Sequence, residues 1–281
     1  MNIQWYPGHM TKAKRMITED LKLVDVIIEL VDARLPISSS NPDIKAMANG
    51  KQRVIVMNKA DLADPAQNEA FSSYFKSLGL YVITADSHNK NIVKTVNDTV
   101  MEACKEKIAR NKSKGLKNRP IRAMIAGIPN VGKSTFINTY AGKASAKTGN
   151  RPGVTTGKQW IKPGKNLELL DTPGILWPKF DDEAVGIRLA IAGSVKDDIL
   201  DMRELAFELV KILNKYYPDA ISSRYEVEHN DDPFTVIKEV ARSRGCLLKG
   251  GELDIDRASD LIIDDYRAGK LGRITLERFN E

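Results

Sequence analysis

Ala123-Met124-Ile125-Ala126-Gly127-Ile128-Pro129-Asn130-Val131-Gly132-Lys133-Ser134 decides the fold. A short apolar run reads as a buried strand, and the G-x-x-x-x-G-K-[ST] pattern that follows is a phosphate-binding loop when it also opens a helix. Lys133–Tyr140 supplies that helix pattern. In this loop the backbone N–H groups of Asn130, Val131, Gly132, Lys133, Ser134 and Thr135 point at phosphate oxygens, and the helix N-terminus adds its positive dipole end. Lys133 reaches the β- and γ-phosphates, and the Ser134 hydroxyl is a Mg²⁺ ligand.

Outward from the loop, two further strand-end motifs fix the ligand. Leu167–Leu170 is a strand that ends at Asp171-Thr172-Pro173-Gly174. Asp171 lies 37 residues after Ser134, where a carboxylate can hold Mg²⁺, and Gly174 can offer its N–H to a γ-phosphate because no Cβ blocks the approach. Between them, Arg151-Pro152-Gly153-Val154-Thr155-Thr156 should bring a threonine to the metal, with Thr155 favoured and Thr156 the alternative. Val54–Met57 runs into Asn58-Lys59-Ala60-Asp61. The Asp61 carboxylate can accept hydrogen bonds from guanine N1–H and the 2-amino group. Adenine offers neither donor and would leave the charge unpaired. Asn58 can bind the N7 side of the base and brace the phosphate loop, and the Lys59 stem can cover the ring. Asp86 and Ser87, after the strand Tyr81–Thr84, are expected near the guanine carbonyl. The ligand set is therefore GTP or GDP with Mg²⁺.

The order of these motifs is the unusual feature. The base reader comes first, then the phosphate loop, then the sensor, which is a circular permutation of the ordinary GTPase order. Strands Val24–Val31, Val54–Met57, Tyr81–Thr84, Ala123–Ala126 and Leu167–Leu170 alternate with helical patterns at Thr11–Leu21, Pro42–Asn49, Ala66–Leu78, Asn91–Lys112 and Lys133–Tyr140. That alternation predicts an α/β fold with a mostly parallel sheet covered on both faces, and Gln159–Ile161 is a short edge strand. After about residue 180 strand patterns stop. Met202–Tyr217, Phe234–Arg244 and Ile255–Ala268 predict a small all-α C-terminal domain. The expected domains are 1–180, binding GTP, and 181–281, helical.

Charge is divided between the two. Residues 1–180 hold 28 Lys+Arg against 15 Asp+Glu, +13, and residues 181–281 hold 15 against 22, −7. A basic first domain suggests a polyanionic partner. Two clusters stand out: Lys105–Arg122, a linker with eight basic residues and one acid, whose stretch from Asn111 to Pro120 is expected to be polar and mobile, and Lys143–Lys165, with six basic residues and no acid. Cys104 and Cys246 match no metal-ligand spacing and read as reduced thiols. Met1–Met16 has no apolar signal core and no run is long and apolar enough for a membrane span, so a cytoplasmic chain without membrane insertion, and a monomer, is expected.

The motifs Trp5-Tyr6-Pro7-Gly8-His9-Met10, Val31-Asp32-Ala33-Arg34-Leu35-Pro36, NKAD, GIPNVGKS, PGVT and DTPG together resemble the ribosome biogenesis GTPase A family over nearly the whole chain. The resemblance implies GTP hydrolysis stimulated by ribosomal particles and a role in late assembly of the large (50S) subunit, with rRNA and ribosomal proteins as partners. It also places the chain among GTPases with an apolar residue after the sensor glycine, here Ile175 followed by Leu176, which cannot orient water. Two sources of catalytic help are open: a K⁺ ion held by Asn130, at the position that holds such an ion in related cation-activated GTPases, and His9, whose imidazole can orient or deprotonate water. The alternative function is a GTP-dependent regulatory switch acting through a protein partner of the helical domain.

Overall fold

In a computed structural model the described residues are 15–48, 50–116, 119–142, 159–162, 166–172, 174, 182–197 and 200–279. Six strands form one sheet: β1 (Val26–Asp32), β2 (Gln52–Asn58), β3 (Tyr81–Thr84), β4 (Ile121–Gly127), β5 (Gln159–Ile161) and β6 (Leu167–Asp171). The spatial order is β3-β2-β1-β4-β6-β5, all parallel except the β5–β6 pair. Parallel strands need crossovers. These are α2 (Pro42–Met47), α3 (Pro65–Ser77), α4 (Ile92–Ala103), α5 (Lys105–Ser113) and α6 (Lys133–Ala141), following a first helix, α1, at residues 15–21.

β1 is buried at every position, as expected of the middle of such a sheet. Its acids are satisfied locally. Glu29 pairs with Arg53 and accepts from the Ser40 hydroxyl at 3.2 Å and the Asn41 N–H at 3.1 Å. Asp25, just before β1, accepts the Arg122 N–H at 2.9 Å and meets Lys107 at 2.5 Å. One face of the sheet packs Ile27, Met124 and Leu170 against Ile17, Leu21 and Ile44; the other packs Ile55 and Met57 against Phe71 and Phe75 of α3.

The helical pattern expected across Asn91–Lys112 is two helices, broken at Cys104 (φ −103°, ψ 9°). α4 buries Val96, Val100 and Ala103, whereas α5 buries nothing. Part of the expected mobile stretch from Asn111 is therefore helical, to Ser113.

The chain divides into two compact units: Phe180–Leu276, and Gln4–Lys179 together with Glu277–Glu281. The helical unit holds α7 (Glu183–Ile191), α8 (Met202–Tyr216), α9 (Asp219–Tyr225), α10 (Pro233–Ser243) and α11 (Ile255–Arg267). α8 buries Leu205, Leu209 and Leu213 against α7, α10 and α11. Arg267 closes the end of α7 by donating to Ile191 O (3.0 Å) and Ala190 O (2.9 Å). The last residues cluster with the sheet-bearing unit and not with the helical one. Glu277 and the two residues after it bond to the sheet-bearing unit, because the Glu277 carboxylate accepts the N–H groups of Ile37 and Ser38.

Candidate functional site

The parallel register brings the motif-bearing strand ends to one edge. Asp32 lies opposite Asn58, Leu30 opposite Gly127, and Ile125 opposite Asp171. β1 continues outward to β2 and β3, while β4 lies on its other side. The switch in strand order therefore falls between β1 and β4, where open α/β sheets leave a ligand crevice.

Asn58 ties three loops together. Its Nδ2 donates to Val131 O at 2.7 Å, and its Oδ1 accepts the Ser87 N–H (3.0 Å) and the Ser87 hydroxyl (2.6 Å). The bracing role expected of Asn58 is present. Ser87, expected near a guanine carbonyl, instead directs both of these donors at Asn58. Ala60 N–H donates to Ala85 O at 3.1 Å, a second tie between the base-reader loop and the loop after β3. Asp86 accepts the His88 N–H at 2.7 Å, and Asp61 is exposed at the rim.

Lys59 has a left-handed φ of 59°, and its ammonium points inward. Nζ donates to Asp32 Oδ2 (2.8 Å) and Asn130 O (2.9 Å). Asp32 is clamped from its other side by Arg34, with Nε–Oδ1 2.9 Å and Nη2–Oδ2 2.8 Å. Burial disfavours the Asp32 charge, but Arg34 and Lys59 outweigh it and hold the carboxyl well below its ordinary range. Burial likewise lowers Lys59, against the pull of Asp32. Asp32 and Arg34 entered the sequence reading only as part of a family motif. A charged D-x-R at a strand end carries no signal of the lysine it will meet.

The phosphate-loop lysine is also buried. Lys133 Nζ donates to Ile128 O (2.7 Å) and Gly127 O (3.1 Å). Burial pulls its ammonium down to about 8, opposed by Asp171. Asp171 responds in kind: burial pushes its carboxyl up to about 6, against the Lys133 charge. Its Oδ1 is buried with no hydrogen-bond partner among the described residues. A buried carboxylate oxygen without a donor suits a hard cation, so Asp171 and the Ser134 hydroxyl fit Mg²⁺ chemically.

Two glycines are needed for close approach. A Cβ on Gly132 (φ +98°) would lie 2.3 Å from Asn58 Nδ2, and one on Gly174 would lie 2.7 Å from Lys133 Nζ and 2.9 Å from Pro129 Cα. Sensor and phosphate loop are thus in contact through glycine. His9, Thr155, Thr156, Ile175 and Leu176 lie outside the described residues.

A family model described as "50S ribosome-binding GTPase" matches residues 122–237. It begins at β4 and omits the base reader, as the permuted order requires. Ribosome biogenesis GTPase A of Bacillus cereus is 49% identical over 278 residues, covering 99% of this chain and 94% of that protein. Its counterpart in Thermotoga maritima is 34% identical over 98% of this chain and 94% of its own length. Among solved structures, GDP-bound TM YlqF aligns with a TM-score of 0.69 at 28% identity, covering 95% of this chain and all of that one; the GNP-bound YlqF from T. maritima gives 0.65. A circularly permuted motif order on one sheet edge and full-length relatives at this identity lead to one conclusion: the chain belongs to the ribosome biogenesis GTPase A family.

Proposed function

We propose that this protein is a Mg²⁺-dependent GTPase that binds precursor large-subunit particles through rRNA and acts late in 50S maturation. The observation that carries the GTPase part is the meeting of Lys133, Gly174 and the unpartnered Asp171 oxygen beside a phosphate loop braced by Asn58. Backbone N–H groups from Asn130 to Thr135 hold the phosphates at the start of α6, Lys133 turns from its carbonyl partners to the β- and γ-phosphates, and Asp61 reads guanine. Gly174 N–H senses the γ-phosphate. Asp171, Ser134 and Thr155 hold the metal, which when bound neutralises phosphate charge. His9 orients the attacking water, and Asn130 would hold a K⁺ ion, whose chemistry would be to supply positive charge.

The particle-binding part is supported by the relatives' name and by where the basic linker keeps its charge. Lys105 pairs with Glu102, Lys107 with Asp25, and Arg122 with Glu168. Arg110, Lys112 and Lys114 are exposed, and no acidic partner faces them among the described residues. They form a cationic strip open to phosphate.

GTP turnover with and without purified large-subunit particles tests the whole reading. Stimulation of the unaltered chain and its loss in His9→Ala at unchanged GTP affinity are expected. No stimulation by particles would favour the protein-partner switch instead.

A further inference from the structure

The segment Glu277–Phe279 holds two parts of the sheet-bearing unit that flank the base reader. Glu277 is only 6% exposed. Its Oε2 accepts the Ile37 N–H at 2.7 Å, and its Oε1 accepts the Ser38 N–H at 2.8 Å and the Ser38 hydroxyl. Arg278 pairs with Asp64 at 3.1 Å, the residue whose other oxygen caps α3 at Ala66 N–H. Phe279 N–H donates to Gln67 Oε1 at 3.1 Å, and its ring meets Phe71 edge-on at 5.8 Å.

The loop that Glu277 grips is the one that sets Asp32. The Asp32 N–H donates to the Ser39 hydroxyl at 2.9 Å, Ser39 N–H closes on Leu35 O at 2.9 Å, and Leu35 N–H closes on Asp32 O at 2.9 Å. Asp32 in turn holds Lys59, and Lys59 holds the carbonyl of Asn130. Asn130 has a left-handed φ of 58°, a conformation that asparagine adopts more readily than other non-glycine residues and that the Lys59 bond to its carbonyl helps to hold. A continuous polar path therefore runs from Glu277 through the 37–39 loop, Asp32 and Lys59 to the phosphate loop. Charge-assisted bonds at both ends make it stiff.

We propose that Glu277 is a positioning residue of the guanine-nucleotide site: its carboxylate fixes the Ile37–Ser38 loop, that loop fixes Asp32, and Asp32 fixes Lys59 against Asn130. Coupling of this kind is reciprocal, so bound nucleotide also holds the segment in place. The chain passes through the entire helical unit between Gly174 and Glu277. The inference rests on the nucleotide-site reading above, which GDP binding by the unaltered chain tests separately.

Release of a fluorescent GDP analogue from the full chain measures the effect. Glu277→Ala speeds release about tenfold, equivalent to about 1.4 kcal/mol; Glu277→Gln, which keeps an acceptor but not the charge, gives a smaller change. In an Asp32→Asn background the same Glu277→Ala change adds less than about twofold, because the path is already cut. A purely structural clamp would show the full tenfold in both backgrounds, and that additivity would overturn the proposal. So would unchanged release in Glu277→Ala when hydrogen exchange at the Ile37 and Ser38 amides shows the loop has been freed. Phe279→Ala, which leaves Glu277 intact, keeps the test available if the first variant folds poorly: faster exchange at Ile37 and Ser38 with faster GDP release supports the path, and faster exchange with unchanged release refutes it.

Discussion

Asn58 Nδ2 donates to Val131 O at 2.7 Å, joining the base-reader loop to a phosphate loop 73 residues later. Its Oδ1 is engaged by both Ser87 donors. The side chain is thus a brace first, and its loss should loosen the phosphates and the base together. Asn58→Ala should raise the Kd for GTP and GDP alike by about tenfold to a hundredfold, the size of one to two lost buried hydrogen bonds. The preference for guanine over adenine should be unchanged, because Asp61 remains. Competition of GDP and ADP against a fluorescent guanine nucleotide measures both.

Asp61 is the opposite case. It is exposed, and among the described residues no hydrogen bond ties its side chain to the phosphate loop, so a substitution there should act on the base alone. Asp61→Asn replaces an acceptor pair with one acceptor and one amide donor. Guanine then loses its match to the 2-amino group, while xanthine, with an oxygen there, gains one. GDP affinity should fall by at least about a hundredfold and xanthosine diphosphate affinity should rise. Titration with the two diphosphates gives the answer directly.

Burial of Asp171 and Lys133 makes a prediction about pH and stability. Asp171 is raised from 3.8 to about 6, so its favourable contribution is present below 3.8 and is lost as pH rises through about 6. Lys133 is lowered from 10.5 to about 8, so its contribution is present above 10.5 and is lost as pH falls through about 8. Between about pH 6 and pH 8 both are charged and both cost stability. Asp171→Asn should therefore stabilise the nucleotide-free protein at pH 7 by about 1–2 kcal/mol, or about 2–4 °C in Tm. The same change should remove the Mg²⁺ dependence of nucleotide affinity. Thermal melts with and without Mg²⁺-GDP read both effects.

The nucleotide loops were legible in the sequence because each signal is local: an apolar strand, then a short polar motif at its end. Asn58 as a brace could be foreseen for the same reason. Asp32 and Glu277 could not. Asp32 meets Lys59 only because β1 and β2 are in register, and Glu277 meets Ile37 across 240 residues. Neither pairing leaves a pattern within a window of sequence. α7 and α9 escaped for a different reason: they are short, at nine and seven residues, and neither shows a clean apolar stripe. The split at Cys104 was hidden because every residue around it is a tolerable helix former.

Potassium is tested by substitution of the salt alone. The carbonyl of Asn130 is held by Lys59, which fixes its backbone in the phosphate loop, where a cation beside the phosphates would add positive charge. GTP turnover should be faster in potassium than in sodium chloride at equal ionic strength. Asn130→Ala should abolish the difference. Equal rates in both salts would remove the ion from the mechanism.

The exposed cations of α5 predict how particles are held. Each phosphate contact releases a counterion, so binding should weaken linearly on a log–log plot against salt, with a slope of about −0.7 to −0.9 for each contact. Replacing Arg110, Lys112 and Lys114 by Ser should make that slope shallower by about 2–3 without altering GDP affinity, because α5 buries no residue and its removal of charge touches no core. Replacing Lys107 should behave differently. It faces the buried Asp25 at 2.5 Å beside the first residues of β1, so Lys107→Ser should lower thermal stability and leave the salt slope nearly unchanged. Sedimentation with large-subunit particles over a range of salt, beside thermal melts of the two variants, separates a cation that meets RNA from one that meets the fold.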